Sequence, residues 1–222
     1  MSIAFVFPGQ GSQAVGMGKA LADQYASARA VFAEVDEALG QNLSGLMWSG
    51  PEADLTLTEN AQPALMAVSM AALRVLETEH GINLAKTAKF VAGHSLGEYA
   101  ALAAAGTFSI ADTARLLKIR GRAMQAATPV GVGAMAALLG LDFATASAVA
   151  AESAQGEVCQ AANDNSDGQV VVSGSKAAVE RALDIAKAKG PARRAPVWRD
   201  CSSRTRCGAG NLPRLHYRHP AT

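Results

Sequence analysis

Apolar positions in the first 128 residues fall into short β-prone runs and longer stretches with helical spacing. Ile3–Phe7 and residues 89–92 are short apolar runs, which predict two strands. Between and after them, apolar side chains recur three or four residues apart, and Gly40, Gly81 and Gly106 close three of these stretches. Helices are therefore predicted over residues 17–25, 28–39, 61–80, 98–105 and 110–127. Strands that alternate with helices indicate an α/β fold.

The pattern changes after Pro129, where shorter elements follow in the order β-α-β-β-α. The strands are predicted over residues 131–141, 158–162 and 169–173, and the helices over residues 142–153 and 176–189. An Asn/Asp/Gly-rich turn separates the last two strands. One further strand would complete a ferredoxin-like unit, and residues 194–198 are the only candidate for it.

Composition narrows the class of protein. Half of the residues are apolar and 18% are charged, which favours a packed α/β protein over a disordered one. The N-terminal apolar run is too short for a signal peptide, and no stretch offers the roughly 18 apolar residues that a membrane span needs. Cys159, Cys201 and Cys207 form no CxxC pair, so neither a disulfide framework nor a zinc site is expected. We expect a cytoplasmic protein without a metal or a membrane partner.

Charge is distributed unevenly along the chain. Acidic residues outnumber basic ones over residues 1–189, whereas residues 190–222 are rich in Arg and contain one acidic residue, Asp200. A basic arm can bind nucleic acid. This one has no Lys and includes Trp198 and two cysteines, which is unusual for a solvated arm. Nucleic acid is therefore not expected as a partner.

The strongest candidate for chemistry is the sequence GHSLG at residues 93–97. It lies between a predicted strand and a predicted helix, the context in which G-x-S-x-G forms a nucleophile elbow. The flanking glycines let the backbone turn sharply, so that the Ser95 hydroxyl projects above the strand end. The Leu96 amide would then donate to the oxyanion of a tetrahedral intermediate. His94 is too close in sequence to activate Ser95 and is expected to be a packed structural histidine.

A second glycine-rich turn, GQGSQA at residues 9–14, permits two interpretations. G-x-G-x-x-A between a strand and a helix fits the dinucleotide-binding fingerprint. That fingerprint also needs an acidic residue at the end of a second strand, and Glu34 and Asp36, near the required offset, lie in a helical pattern. The alternative is that the turn presents a side-chain or backbone amide of Gln10 to a cleft, as an oxyanion donor.

The predicted helix over residues 110–127 carries basic residues on two different sides. Arg115, Lys118 and Arg122 lie opposite its apolar stripe and are expected to face solvent. Arg120 lies next to the stripe, so its guanidinium is directed inward and requires a partner. A planar guanidinium suits a substrate carboxylate held by two hydrogen bonds. An internal salt bridge to a core Glu or Asp is the alternative.

Five motifs occur together in this order: PGQGSQ, QPAL at residues 62–65, GHSLGEYAAL, RGRAMQ from Arg120, and NDNSDGQVVVSG at residues 163–174. In this combination, residues 1 to about 189 resemble the malonyl-CoA:acyl carrier protein transacylase family of fatty-acid biosynthesis. The resemblance implies transfer of malonyl from coenzyme A, through an ester on Ser95, to the phosphopantetheine thiol of acyl carrier protein. Malonyl-CoA and acyl carrier protein are then the partners, and the coenzyme A thioester is a substrate, with no cofactor.

The resemblance also implies residue roles and a domain organisation. Ser95 would be the nucleophile, Gln10 and the Leu96 amide the oxyanion hole, and Arg120 the group that binds the malonyl carboxylate. Gln62 and residues 163–165 would line the cleft or satisfy turns. The fold implied is an α/β hydrolase-like parallel-sheet subdomain over residues 1–128, incomplete at the C-terminus. A ferredoxin-like subdomain would follow over residues 129–198, and an irregular basic tail over residues 199–222.

The C-terminal part departs from the family pattern. A family member is expected to continue into a strand that ends at a histidine, the base that activates the serine. The histidines after Ser95 are His216 and His219, which share neither the context nor the position of that base. A reading-frame shift near Gly190 is the interpretation offered for this change. Activity is then expected to be low, because losing a triad member leaves only about 10³ to 10⁴ over the uncatalysed rate.

Two other functions remain open at this point. A thioesterase or another α/β-hydrolase would use GHSLG equally well, with water as the acceptor, but it leaves Arg120 unexplained. An inactive remnant would bind acyl carrier protein without turnover.

Overall fold

The computed structural model describes residues 3–128 and 131–189, together with the backbone of residues 193–199. It is an α/β protein with two compact units: the first comprises the described residues up to Arg122, and the second begins at Ala123. Residues 190–192 and 200–222 lie outside the described residues. The second of these ranges contains most of the predicted tail, including Cys201, Cys207, His216 and His219. Within the described part, every helix is too short or too polar to cross a bilayer.

The first unit contains a two-stranded parallel sheet and a group of helices. Strands β1 (Ile3–Phe7) and β2 (Ala88–Gly93) pair in parallel, with Phe5 opposite Val91 and Phe7 opposite Gly93. The helices of this unit, the last of which extends into the second unit, are α1 (Lys19–Gln24), α2 (Ala26–Leu39), α3 (Leu43–Ser49), α4 (Glu52–Thr56), α5 (Thr58–His80), α6 (Leu84–Thr87), α7 (Leu96–Ala104) and α8 (Ile110–Ala127).

The core of the first unit forms around α5. This helix is buried along most of its length, and it packs with Phe32 of α2, Leu96 of α7 and Leu117 of α8 in one apolar cluster. Phe7 of β1 belongs to the same cluster. The opposite face of the β1–β2 sheet is uncovered by the described residues, and Val6 there is 72% exposed. The sheet therefore packs on one side only.

Helix α5 begins earlier than the sequence predicts. Its first residue is Thr58 rather than residue 61, which moves Pro63 from the first turn of the helix to the second. The stretch before it, for which no periodic element was predicted, forms α3 and α4. These are short helices, and their burial of Leu43, Met47 and Leu55 comes from packing against the core rather than from a long periodic pattern.

The second unit is a four-stranded antiparallel sheet with two helices. Its strands are β3 (Gly133–Leu139), β4 (Cys159–Ser166), β5 (Gln169–Ser175) and β6 (Arg193–Arg199), in the spatial order β4-β5-β3-β6. Its helices are α9 (Phe143–Ala154) and α10 (Lys176–Lys189), and their apolar faces pack against Leu138, Val170 and Val172 of the sheet. Residues 194–198, the candidate for a further strand, lie within β6, which pairs with β3.

The hairpin between β4 and β5 is tighter than predicted. Asp167 and Gly168 form the two-residue turn, and Gly168 has a φ of 73°, which favours glycine. Residues 163–165, predicted to belong to a turn, continue strand β4 instead, with exposed side chains. Cys159 at the start of this strand is buried, and burial raises the pKa of its thiol.

Candidate active site

Ser95 stands at a sharp turn between a strand and a helix. Strand β2 ends at Gly93, helix α7 begins at Leu96, and Ser95 between them has φ 56° and ψ −115°. A positive φ is strained for a residue with a Cβ, and such strain tends to occur at functional sites. The turn exposes Ser95 to solvent.

Residues 93 and 97, on either side of Ser95, must be glycines because there is no space for a Cβ atom at either position. A Cβ on Gly93 would lie 1.9 Å from the backbone of Gly97, and a Cβ on Gly97 would lie 2.3 Å from the carbonyl oxygen of Phe7. The start of α7 therefore sits directly on the ends of both strands. Only glycine at these positions allows so close an approach, and this approach fixes the direction in which Ser95 projects.

The first turn of α7 includes one amide, that of Leu96, that is not used in the hydrogen bonds of the turn. The Gly97 amide donates to the His94 carbonyl at 2.9 Å, and the Glu98 amide donates to the Ser95 carbonyl at 3.1 Å. The Leu96 amide has no acceptor among the described residues. An amide at a helix N-terminus, next to a serine hydroxyl, can donate to a developing oxyanion.

Arg120 of α8 reaches the serine. Its Nη2 donates to Ser95 Oγ at 3.1 Å, and its Nη1 donates to Gln62 Oε1 at 2.6 Å. The guanidinium carbon lies 5.9 Å from the centroid of the Tyr99 ring. Gln62, on α5, is fully buried. The sequence-predicted residues Ser95, Gln62 and Arg120 thus meet at one point.

The alternative of an internal salt bridge for Arg120 is not observed. Within residues 3–128 and 131–189, no carboxylate pairs with this guanidinium. Its two hydrogen-bond partners, Gln62 Oε1 and Ser95 Oγ, are both neutral. The site therefore holds a positive charge beside the hydroxyl, which suits an anionic group.

Gln10 lies on the loop after β1. Its Nε2 donates to Thr58 Oγ1 at 3.4 Å, and Thr58 is buried at the start of α5. The neighbouring Gly9 faces His94, because a Cβ at Gly9 would lie 2.6 Å from His94 Nδ1. The loop that carries Gln10 is therefore adjacent to the Ser95 turn.

The dinucleotide-binding fingerprint does not form at this loop. In that motif the helix opens at the glycine-rich turn itself. Here α1 begins only at Lys19, well beyond Ala14, and Glu34 and Asp36 lie within α2 rather than at the end of a strand.

His94 and Lys118 differ from what the sequence predicts. His94 is exposed rather than packed inside, although its ring lies against Gly9. Lys118 was expected to face solvent together with Arg115 and Arg122, but it is only 8% exposed. Its ammonium group forms an ion pair at 3.1 Å with Glu59 of α5.

Sequence reasoning missed this partly buried ion pair for an identifiable reason. With α5 predicted to begin at residue 61, Glu59 stood in a loop and offered no partner for a basic side chain on α8. Arg122 pairs with the same carboxylate at 3.0 Å. The hydrogen bond from Arg122, with a further contribution from Lys118, holds the pKa of Glu59 below its ordinary value.

A protein-family model described as an acyl transferase domain matches residues 4–199 of this sequence. The chain belongs to the acyl transferase domain family. The match extends past residue 189, where the resemblance was predicted to end, and includes β6. It joins the two units in one family domain.

Individual relatives agree with this assignment. The chain is 47% identical over 194 residues to malonyl CoA-acyl carrier protein transacylase of Escherichia coli. The aligned region covers 87% of this chain and 62% of that relative. Among solved structures, an acyl-carrier-protein-S-malonyltransferase from Bartonella henselae is 59% identical with a TM-score of 0.82, over 89% of this chain and 62% of that one.

A third relative was solved with a partner. A malonyl-transacylase in complex with the acyl-carrier protein of a type II PKS is 44% identical with a TM-score of 0.80, over 89% of this chain and 62% of that one. The chain thus spans about 62% of the length of the relatives it matches.

Proposed function

We propose that this chain takes a malonyl group from malonyl-CoA onto Ser95 and passes it to the phosphopantetheine thiol of acyl carrier protein. The observation that carries the proposal is the position of Arg120, whose guanidinium contacts Ser95 Oγ and has no carboxylate partner among the described residues. A malonyl ester on Ser95 would bring its free carboxylate within reach of that guanidinium. The names of the similar proteins support the same substrate and acceptor.

In the first half of the reaction, Ser95 Oγ attacks the thioester carbonyl of malonyl-CoA. The Oγ–C bond forms, the C–S bond breaks, and the proton that leaves Oγ ends on the sulfur of coenzyme A. We propose that the Leu96 amide and Gln10 donate to the oxyanion that develops on the carbonyl oxygen. Arg120 holds the carboxylate at the other end of the acyl group and so orients it.

The second half reverses these steps with a different thiol. The phosphopantetheine sulfur attacks the ester carbonyl, the S–C bond forms, and the Oγ–C bond breaks as the proton returns to Ser95. Both halves need a base at Ser95, and in the family resemblance this is a histidine. Because His216 and His219 share neither the sequence context nor the position of that histidine, our proposal for this chain is slow turnover, with Ser95 acylation as its measurable step.

We further propose the finer fold assignment. The sheet order β4-β5-β3-β6 and the β-α-β-β-α-β sequence of elements support a ferredoxin-like subdomain over residues 129–198. The parallel β1–β2 pair and the turn at Ser95 support a hydrolase-like subdomain over residues 1–128.

Mass spectrometry of the protein incubated with malonyl-CoA tests the proposed function. We expect a malonyl adduct on the peptide that contains Ser95, and its transfer to acyl carrier protein added afterwards. The Ser95→Ala variant, which keeps the fold of the turn, should carry no adduct. Acetyl-CoA serves as the uncharged comparison and should react more slowly.

Three other results would contradict the proposal, each in a different way. Free malonate without transfer to acyl carrier protein would indicate a thioesterase. An absence of any adduct in a folded protein would indicate an inactive remnant. Equal reaction with acetyl-CoA and malonyl-CoA would contradict the role of Arg120.

A further inference from the structure

A partly buried cluster of charged and polar side chains lies beside the site, where α5, α8 and the segment after α2 meet. Lys118 Nζ donates to Gln41 Oε1 and to Asn60 Oδ1, both at 2.8 Å, and lies 3.1 Å from Glu59 Oε2. A lysine ammonium has three N–H donors. Each of them therefore has an acceptor, which holds the buried cation in one position.

The same cluster is reinforced from the surface. Arg122 Nε donates to Glu59 Oε2 at 3.0 Å, so one carboxylate binds two cations on successive turns of α8. Two cations separated by one helical turn and joined to one acid define the orientation of the helix better than a single pair does.

Between these cations, α8 touches the backbone of α5 directly. A Cβ on Gly121 would lie 2.5 Å from the Glu59 Cα and 2.7 Å from the Thr58 carbonyl oxygen. Successive residues of a helix are about 100° apart. Lys118 and Arg122 therefore flank Gly121 on one side of the contact, and Arg120 lies on its other side.

The glycine contact sets the distance between the helices, but a contact at one point does not by itself fix the rotation of α8 about its axis. Rotation in one direction would lengthen the bonds to Glu59. The same rotation would move Arg120 relative to Gln62 and Ser95, because both sets of side chains belong to the same rigid helix.

We propose that Lys118 and Glu59 are positioning residues that fix the rotation of α8 and thereby direct the Arg120 guanidinium toward Gln62 and Ser95. This inference rests on the proposed function in that Arg120 binds the acyl carboxylate. Glu59 has a second connection to the site: its neighbour Thr58 accepts the hydrogen bond from Gln10. Glu59 thus follows the acceptor of the Gln10 hydrogen bond in sequence, and its carboxylate binds two cations of the helix that carries Arg120.

A small rotation of α8 would displace the Arg120 guanidinium far enough to affect substrate binding. A guanidinium about 7 Å from the axis of a helix moves by roughly 1 Å when the helix turns by about 8°. A displacement of about 1 Å at a reacting group can cost on the order of 10²-fold in rate. A small rotation of α8 is therefore sufficient to impair substrate binding without unfolding the protein.

The test uses two measurements on the whole chain. The first is the rate at which phenylglyoxal modifies Arg120, followed by mass spectrometry and normalised to Arg74, an exposed arginine on α5. The second is the dependence of Ser95 acylation on malonyl-CoA concentration. The variants are Lys118→Met, which keeps the length of the side chain, and Glu59→Gln, which keeps its shape. Arg115→Met, which removes an exposed salt bridge on the same helix, is the matched control.

We expect phenylglyoxal to modify Arg120 several times faster in Lys118→Met and in Glu59→Gln than in the wild type. The malonyl-CoA concentration at half-saturation should rise by about tenfold, with a smaller change in the maximal rate. Arg115→Met should match the wild type in both measurements. If Lys118→Met does not fold, the same two measurements on Glu59→Gln decide whether the inference holds.

Unchanged Arg120 reactivity in a folded Glu59→Gln variant would overturn the inference, even if its melting temperature fell, since that pattern is what a purely structural ion pair would give. Failure of the proposed function looks different. In that case malonyl-CoA would not acylate Ser95 of the wild type, while the phenylglyoxal measurement would still show whether the cluster positions Arg120.

Discussion

Ser95 is constrained by its glycine neighbours more than by its own side chain. Gly93 and Gly97 permit a strand end and a helix start to approach within a distance that excludes any Cβ. The strained φ of Ser95 is maintained by this packing, because relaxing the turn would separate α7 from β1 and β2. The position of the hydroxyl thus depends on two residues that have no side chain.

Gly93→Ala should destabilise the protein severely. The new Cβ would meet backbone atoms of Gly97 at 1.9 Å, which no side-chain movement can relieve. We expect the free energy of unfolding to fall by about 3 kcal/mol or more, the upper range for overpacking. Denaturant unfolding measures this change.

Gly81→Ala is the matched control. Gly81 has a positive φ, 64°, which Gly93 does not have, and open space surrounds Gly81 at the C-terminus of α5. Its replacement should cost only about 1 kcal/mol, from the left-handed backbone alone. Equal losses for the two variants would contradict the steric explanation.

Arg120→Lys tests the planar guanidinium apart from the charge. Lysine retains the cation but cannot contact Gln62 and a substrate carboxylate with one planar group. Losing a charge-assisted hydrogen bond of about 1.5–3 kcal/mol should slow acylation of Ser95 by malonyl-CoA roughly 10- to 100-fold. The rate of adduct formation measures this. An unaltered rate would mean that charge alone is sufficient.

At the scale of elements, the sequence predicts the long periodic helices and the strands but not the start of α5. Its apolar stripe is clear from residue 61 onward, and Pro63 is typical of a first turn. In the structure the helix starts at Thr58, because Thr58 and Asn60 are buried by contacts with α8 and the Gln10 loop. Such long-range contacts have no periodic signal, so the Glu59 cluster was missed.

Acid should weaken the attachment of α8 to α5. The hydrogen bonds from Arg122 and Lys118 hold the pKa of Glu59 below its ordinary value of 4.5. A lowered native pKa means that the stabilisation is complete above the ordinary value and is lost as the pH falls through the native one.

Comparison of the wild type with Glu59→Gln isolates this contribution. The difference in their free energies of unfolding should be largest near neutral pH and should shrink as the pH falls from about 6 to about 3. Denaturant titrations at several pH values measure it. A difference that is constant or that grows in acid would contradict the ion pairing.

At the scale of the whole molecule, the order of the five motifs predicts the family, and the family match confirms it over residues 4–199. The β-α-β-β-α pattern likewise predicts the elements of the second unit. What the sequence could not predict is the detail of packing: β4 extends through residues 163–165 because strand β5 pairs with it there, although Asn and Asp residues favour turns.

The uneven packing of the β1–β2 sheet gives a sharp contrast between adjacent residues. Phe7 is 5% exposed and belongs to the core, whereas Val6 on the other face is 72% exposed. Phe7→Ala should lower the free energy of unfolding by about 3–5 kcal/mol. Val6→Ala should change it by no more than about 0.5 kcal/mol. Comparable losses from thermal or denaturant unfolding would show that both faces are covered.

If Arg120 binds the acyl carboxylate as proposed, its hydrogen bond to the Ser95 hydroxyl couples recognition to reactivity. While the guanidinium engages a lone pair of Oγ, that oxygen is a poorer nucleophile. A carboxylate competes for the same N–H, because an acceptor that carries a negative charge attracts the guanidinium more strongly than a neutral hydroxyl oxygen does. An acidic acyl group would thus draw the cation away from the oxygen as it binds, whereas a neutral acyl group would leave it in place. Selectivity for thioesters of dicarboxylic acids would then have two sources. One is the affinity of Arg120 for the carboxylate, and the other is the release of Ser95 Oγ from its hydrogen bond with Arg120.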